Sequence, residues 1–264
     1  MVALIGSIVE LAMSNESGVK TEEKKQHFDD IYMESTPVPF KERIIDALDY
    51  ISDNNNRQTF DRLILPWCQQ QQGKPIPYVD LACCFGNTTL AIAHNMTVDE
   101  IRENWKDAAS ASQPLKPRRL NLKTTGIDIS ENALNYAQNA GIFDQTIPAD
   151  LNQPSPEKKT QVLKTMEEAD ILVSTAALVY LEESAIDELI SSFAKAPREG
   201  YCLVNFLNPF GLEKADTTKR ILLKHLDFVG STATRHRLLS DLERENYPDE
   251  EWSLLEIWVL KRNV

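Results

Sequence analysis

The sequence predicts an α/β fold: a doubly wound, seven-stranded, mostly parallel sheet with an antiparallel last strand and an N-terminal helical lid. From residue 75 onward, apolar strand-like runs alternate five times with helical patterns, which is typical of a parallel sheet covered by helices. From residue 231 onward, two strand-like segments are separated by a short polar connection, which indicates a hairpin. Residues 1–72 carry helical patterns alone, so we predict a helical segment at 1–72 and a sheet domain at 73–264.

The N-terminal segment contains two stretches with apolar residues at helical spacing, 39–51 (PFKERIIDALDYI) and 57–68 (RQTFDRLILPWC). Residues 1–17 are apolar, but they lack the basic region and the small-residue cleavage site of a secretion signal. They are also shorter than the ~20 residues that span a bilayer. We therefore expect a packed or frayed helix there, and a cytoplasmic protein.

The five alternating strands are predicted where apolar residues run together between turn signals. They are 76–83 (IPYVDLAC), 123–129 (KTTGIDI), 145–151 (QTIPADL), 170–177 (DILVSTAA) and 200–207 (GYCLVNFL). The terminal hairpin is predicted from 231–240 (STATRHRLLS) and 252–262 (WSLLEIWVLKR).

Helices are predicted between these strands from start and stop signals. Thr97 and Glu100 have capping-box spacing, and Ser130 is placed to cap a helix that ends near Gly141. Ser155 is placed to cap a helix with Pro156 at its first position. Further helices are expected from about residue 87, at 182–196 and near 217–227.

Composition excludes several classes of partner. The chain of 264 residues has a net charge of −12, and its 42% apolar and 26% charged residues are ordinary for a globular protein. The acidic excess argues against nucleic acid and against an anionic membrane surface, because both need clustered Lys and Arg. Four cysteines in a chain of this length do not indicate a secreted disulfide framework.

The stretch YVDLACCFG (78–86) lies where the first strand turns into the first helix, the usual ligand position in such sheets. A dinucleotide loop needs glycines so that its backbone can approach a pyrophosphate. Here Ala82 and Cys84 occupy two of the possible glycine positions, and Gly86 alone is glycine. The stretch therefore predicts a nucleoside ligand without phosphates.

The order of features resembles the class I S-adenosylmethionine-dependent methyltransferases over roughly residues 75–264. Asp80, Ala82, Cys84 and Gly86 align with the fixed positions of that family's first motif, D-x-G-x-G-x-G. The segments GIDISENALNYAQNAG, PADLNQ and ADILVSTAALVYL resemble the second, third and fourth-strand motifs, and the terminal hairpin resembles the antiparallel seventh strand of that fold. More narrowly, DLACCFG followed by MTVDEIRENW is similar to a bacterial group with paired cysteines in this loop and an N-terminal Ile-Tyr segment, here Ile31 and Tyr32.

The resemblance implies S-adenosylmethionine as cofactor and S-adenosylhomocysteine as product. It implies that Asp128 takes the ribose hydroxyls and Asp150 meets the adenine amino group. The implied cofactor-binding residues are Asp80, Ala82, Cys83, Cys84, Gly86, Asp128, Ile129, Asp150, Leu151, Ser174 and Tyr32. Two of the three loop glycines of the family are missing here, and Gly86 and Asp128 are 42 residues apart, where the dinucleotide pattern expects about 20. We interpret residues 96–120 as an insertion.

The cysteines and aspartates of this set each have an alternative interpretation. Cys83 and Cys84 could be a metal pair, but no second Cys or His pair has zinc spacing, so we predict loop lining and no metal. Asp80 could hold the loop or the methionine amino group, or it could cap the next turn. Asp128 could be an N-cap-like residue beside Ser130, and Asp150 could belong to a turn before Pro154.

The candidate catalytic residues are Tyr180 and His236. Tyr180 follows the fourth strand, where substrate contact and core packing are both reasonable. His236 lies between Arg235 and Arg237, which is typical of a surface charge cluster; a general base or a carboxylate clamp is the functional alternative. The remaining histidines, at positions 27, 94 and 225, belong to no evident nucleophile triad.

A sulfonium is already activated, so methyl transfer needs mainly proximity and orientation, and a base only where the acceptor is protonated. We expect transfer to an O or N atom of a small-molecule acceptor, as in specialised metabolism. The alternatives are a peptide or protein methyltransferase, a non-enzymatic binding module of the same fold, and a Rossmann oxidoreductase. The oligomeric state stays open.

Overall fold

A computed structural model describes residues 28–263, and at Asp29 the backbone alone. Within this range seven strands form one sheet in the order β3-β2-β1-β4-β5-β7-β6. The strands are β1 Ile76–Leu81, β2 Leu122–Asp128, β3 Gln145–Pro148, β4 Ile171–Ser174, β5 Tyr201–Asn208, β6 Leu226–Leu238 and β7 Trp252–Arg262. Strands β1 to β5 are parallel, and β7 is antiparallel to both β5 and β6. The predicted fold class is confirmed.

Helices cover both faces of the sheet. They are α1 Asp29–Tyr32, α2 Val38–Phe40, α3 Ser52–Leu63, α4 Leu65–Gln70, α5 Asn87–Ala93, α6 Val98–Asn104, α7 Glu131–Asn139, α8 Pro156–Glu168, α9 Glu183–Ala194, α10 Leu212–His225 and α11 Asp241–Asn246. The predicted caps are present: Thr97 and Glu100 form a capping box, and the Ser130 and Ser155 hydroxyls accept from Ala133 N–H and Lys158 N–H. None of the helices within 28–263 has the length and apolar character needed to cross a membrane.

Several element boundaries differ from the prediction. Strand β3 ends at Pro148 and β4 at Ser174, three residues early in each case, because the chain turns there into loops at the carboxyl edge. Helix α10 begins at Leu212 and not near 217, and β6 begins at Leu226 and not at 231. The hairpin connection also contains the short helix α11, opened by a capping box at Ser240.

The helix predicted over 39–51 is wrong in its second half. A π-helical segment, Lys41–Asp46, follows α2, and the chain then turns before α3 begins at Ser52. The cause is a backbone contact with the edge strand β6. Leu48 C=O accepts from Leu238 N–H at 2.7 Å, and Ile51 N–H donates to His236 C=O at 3.1 Å. These bonds satisfy part of an otherwise open sheet edge and draw the N-terminal segment onto it.

The described part of the N-terminal segment also docks on the start of α7. Ser130 Oγ donates to the Tyr32 carbonyl at 2.6 Å, and Asn132 Nδ2 donates to the Met33 carbonyl at 2.8 Å. This holds α1 over the carboxyl edge of the sheet, beside β2. The apolar stretch 1–17 and His27 lie outside the described residues.

The insertion at 96–120 packs behind the loop that follows β1. Trp105, which directly follows α6, is fully buried and meets the Phe85 ring edge-to-face, with centroids 6.3 Å apart. Phe40 meets the same two rings at 6.4 and 5.8 Å. The insertion and the N-terminal segment therefore share one aromatic cluster that supports the loop from behind.

Candidate functional site

A cavity of about 340 Å³ lies at the carboxyl edge of the sheet. Its walls come from the loops after β1 to β4, from strands β5 and β6, and from the N-terminal segment, whose Phe28, Tyr32 and Phe40 line it. Ten predicted site residues also line it: Tyr32, Ala82, Cys83, Cys84, Asp128, Ile129, Asp150, Leu151, Tyr180 and His236. Asp80, Gly86 and Ser174 lie behind the wall and are not in that lining.

The loop after β1 has left-handed backbone at each position where the methyltransferase motif has glycine. The φ angles are +55° at Ala82, +50° at Cys84 and +83° at Gly86. A residue with a Cβ atom pays about 1–2 kcal/mol for this conformation, so Ala82 and Cys84 are strained. The loop keeps the shape that glycines would give, although two of the glycines are absent.

Gly86 is required for packing as well as for its backbone angle. A Cβ atom at this position would lie 2.8 Å from Ile142 Cγ2 and 3.1 Å from Phe143 Cε2. Both neighbours are buried, at 1% and 2% exposed, so neither can move freely. Gly86 therefore sets the distance between the loop and the segment that follows α7.

Asp128 ties the loop to the end of β2. Its Oδ2 accepts from Cys84 N–H at 2.7 Å, and its Oδ1 accepts from Ser130 N–H at 2.8 Å. Burial raises the pKa of this carboxyl, against the effect of the two backbone N–H groups. The side chain is 7% exposed and reaches the cavity wall, where the remaining lone pairs of the carboxylate can accept further hydroxyl donors.

Asp150 lies in a turn, and the same residue lines the cavity. Its Oδ1 accepts from Asn152 N–H at 2.9 Å and from Gln153 N–H at 3.3 Å. The structure thus contains the turn that was one of the two interpretations, and it leaves the carboxylate at the cavity wall. Ile129 and Leu151 add apolar surface to the same cavity.

Asp80 is buried beneath the loop. It is 1% exposed, and its Oδ2 accepts from Thr89 Oγ1, in the first turn of α5, at 2.7 Å. Burial raises the pKa of this carboxyl to about 7. This bond joins two side chains and does not cap the helix, since α5 has no side-chain cap. Ser174, likewise buried, donates to the Leu81 carbonyl at 3.2 Å.

The two cysteines have different surroundings, and neither is poised as a thiolate. Cys83 is 5% exposed and packs against Gly126, where a Cβ atom would lie 2.9 Å from its sulfur. Cys84 is partly exposed at the cavity wall. Burial and the nearby Asp128 carboxylate raise the pKa of both thiols. In residues 28–263 no group of three or more His, Cys, Asp or Glu is placed to hold a metal ion.

A polar network that the sequence did not indicate joins α3 to α5. The buried Asp53 accepts from Asn87 Nδ2 at 2.8 Å and from Thr88 Oγ1 at 2.9 Å, and burial raises its pKa. Asn87 also donates to Tyr50 Oη at 3.4 Å. Asn205, a buried amide within the apolar run of β5, donates to Asn56 Oδ1 in α3 at 3.2 Å. A polar residue in such a run needs partners when buried, so it is a signal from which this region could have been found.

The structure excludes a surface position for His236 and a core position for Tyr180. His236 is 7% exposed, hydrogen-bonded through Nδ1 to Ser52 Oγ, and edge-to-face with Tyr50 at 5.4 Å, so the prediction of a surface charge cluster is wrong for it. Arg237 is buried in a bidentate pair with Glu243, at 2.7 and 2.8 Å. Tyr180 is 53% exposed, which excludes core packing, and it lines the cavity.

Tyr180 also lines a second, open groove of about 660 Å³. This groove lies between the loop after β4 and the start of α10, and Phe210 and Gly211 form part of its wall. The cavity and the groove therefore meet at one side chain.

No protein-family model and no curated protein sequence matches the chain. Solved structures are similar in fold. Magnesium protoporphyrin IX methyltransferase from Synechocystis PCC 6803, solved with bound SAM, is 16% identical over 86% of this chain and 84% of that chain, with a TM-score of 0.44. A S-adenosylmethionine-dependent methyltransferase from Clostridium acetobutylicum ATCC 824 is 11% identical over 79% and 92%, with a TM-score of 0.45. A (4+2)-cyclase is 13% identical over 80% and 81%, with a TM-score of 0.49. At such low identity the similarity concerns the fold, and the function depends on the site itself.

Proposed function

We propose that this protein is an S-adenosylmethionine-dependent methyltransferase that transfers a methyl group to an O or N atom of a small-molecule acceptor. The observation that carries the proposal is the left-handed loop Ala82–Gly86, bonded through Cys84 N–H to Asp128. Such a loop lets a ligand approach the backbone closely, and the adjoining carboxylate can accept both hydroxyls of a ribose. Asp150, Ile129 and Leu151 line the same cavity, and in this proposal they contact the adenine.

The charges of the cavity favour a sulfonium nucleoside over a dinucleotide. Asp128 and Asp150 line it, and among the described lining residues Arg237 is the one Arg or Lys, already paired with Glu243. A pyrophosphate would meet carboxylates with no unpaired guanidinium or ammonium to offset them. A sulfonium is positively charged, so the Asp128 and Asp150 carboxylates would not repel it. The charges of the cavity lining therefore fit S-adenosylmethionine.

Calorimetry tests the cofactor. We expect S-adenosylhomocysteine and S-adenosylmethionine to bind, and NAD and FAD to give no comparable heat. Tight NAD binding without binding of either adenosyl ligand would replace this proposal with an oxidoreductase.

The open groove beside Tyr180 favours a second candidate, a peptide or protein methyltransferase, since an extended chain needs an open surface. Methyl-labelled S-adenosylmethionine can be offered with cell extract separated into small molecules and macromolecules. Label that appears in the small-molecule fraction supports the first candidate; label confined to protein supports the second.

A further inference from the structure

The sheet order gives the direction in which the amino-acid end of the proposed cofactor leaves the ribose. Strands β2 and β3 lie on one side of β1, and β4 and β5 lie on the other. A nucleoside held by the two aspartates of the cavity lies on the β2 side, so its amino-acid end passes the loop 82–86 toward β4. Two amide side chains line the cavity beyond this loop: Asn87, which directly follows it, and Asn205 in β5.

Other side chains that could accept a hydrogen bond from the amino group of the cofactor are unavailable. Asp80, for which the resemblance offered this contact, lies behind the cavity wall and is 1% exposed. The Asn205 amide is engaged at both ends, because it donates to Asn56 Oδ1 at 3.2 Å and accepts from Ala176 N–H. Asn87 is therefore the amide that can receive a new donor.

Asn87 has its side-chain oxygen left for a ligand. The two hydrogens of Nδ2 are used, since this nitrogen donates to Asp53 Oδ2 at 2.8 Å and to Tyr50 Oη at 3.4 Å. No donor within residues 28–263 bonds to Asn87 Oδ1. An ionised carboxylate accepts and cannot donate, so Asp53 holds the nitrogen on its own side and fixes the orientation of the amide. Asn87 thus offers an oriented acceptor at the cavity wall.

Asp53, behind this amide, is a buried carboxylate without a cation. It is 1% exposed, and in the described part of the chain no Lys, Arg or His forms an ion pair with it. Desolvation raises its pKa, against the effect of the bonds from Asn87 and Thr88. Buried carboxylates are normally paired with a positive charge. An ammonium bonded to Asn87 Oδ1 would bring one within a single amide group of Asp53, whereas a carboxylate there would be repelled.

We propose that Asn87 Oδ1 accepts a hydrogen bond from the α-ammonium of S-adenosylmethionine, and that Asp53 is the positioning residue that orients the Asn87 amide. This inference rests on the proposed function. Because Asp53 belongs to α3, it gives the N-terminal segment a part in cofactor binding in addition to covering the cavity.

Calorimetry with S-adenosylhomocysteine and with its analogue that lacks the amino group tests the contact. Wild-type protein should bind S-adenosylhomocysteine about tenfold more tightly or better, because the analogue loses a hydrogen bond from a charged donor. Asn87→Ala should reduce this affinity ratio by about threefold or more, and so should Asp53→Asn, since an amide at position 53 can donate and lets the Asn87 amide turn over. Both ligands are measured on the same variant, so a general loss of stability cancels in the ratio.

Thr88→Val is the matched control. Thr88 Oγ1 gives Asp53 its other hydrogen bond, at 2.9 Å, but Thr88 is not in the cavity lining, so the affinity ratio should stay within about twofold of wild type. A wild-type ratio near one, an unchanged ratio in Asn87→Ala or Asp53→Asn, or an equal fall in Thr88→Val would overturn the inference. If wild-type protein binds neither ligand, the proposed function fails instead, so the two failures are distinguishable.

Discussion

Replacing Asp128 should weaken both the fold and the cofactor site, by amounts that can be separated. The carboxylate accepts from Cys84 N–H and Ser130 N–H, and both bonds are shorter than 2.9 Å. A buried N–H left without an acceptor costs about 1–3 kcal/mol, so Asp128→Ala should lose about 2–4 kcal/mol of unfolding free energy once relief of the carboxylate's own burial is counted. Asp128→Asn keeps one acceptor oxygen and should lose about 1–3 kcal/mol.

Replacing Asp128 should also weaken cofactor binding directly, in addition to its effect on the stability of the fold. Loss of charge-assisted bonds to ribose hydroxyls should weaken S-adenosylhomocysteine binding by about 1–3 kcal/mol, or roughly 5- to 150-fold. Urea unfolding and calorimetry on the same samples measure the two quantities. Asp144→Asn is the control: this aspartate accepts from Thr124 N–H at 2.8 Å, just before β3 at the opposite edge of the sheet, so it should cost stability and leave affinity unchanged. A folded Asp128→Asn protein that binds within twofold of wild type would refute the reasoning.

Three further predictions concern the loop and its support. Cys84→Gly should relieve about 1–2 kcal/mol of left-handed strain, less about 0.4–1 kcal/mol of chain entropy, and it should keep S-adenosylhomocysteine affinity within tenfold. Cys84→Leu should reduce that affinity by crowding the cavity. Thermal melting measures the change in stability, and calorimetry measures the affinity. Gly86→Ala should cost about 2–4 kcal/mol in urea unfolding, since strain adds to overlap with Ile142; an unchanged midpoint would contradict this. The pKa of Asp80 is raised from 3.8 to about 7, so the folded state holds a proton that the unfolded state releases, and this group's contribution to stability falls as pH rises from about 4 to 7. Asp80→Asn should therefore gain stability relative to wild type between pH 5 and pH 8, and a constant difference would contradict the assignment.

Local signals were sufficient to predict most of the fold. The alternation of strands and helices, the capping box at Thr97 and the caps at Ser130 and Ser155 depend on residues close in sequence, and each is present. The boundaries that were wrong depend on tertiary contacts. The predicted helix over 39–51 breaks because Leu48 and Ile51 bond to an edge strand nearly two hundred residues away.

Some features of the candidate site likewise follow from local sequence, and others depend on tertiary contacts. The position of the loop after β1 and of Asp128 could be predicted from a motif in the sequence. The left-handed backbone angles at Ala82 and Cys84 could not, because these residue types rarely adopt them. Ser52 and His236 are 184 residues apart, and no local pattern brings them together. The Asp53 network depends likewise on the docking of α3 against α5, which only the folded chain displays.

A crystal structure of the protein with S-adenosylhomocysteine tests the central claim most directly. The account predicts the ribose hydroxyls on the Asp128 carboxylate, the adenine beside Ile129 and Asp150, and the amino-acid end against the backbone of residues 82–84. A ligand bound elsewhere, such as in the open groove beside Tyr180, or one that leaves Asp128 without contact, would contradict the account.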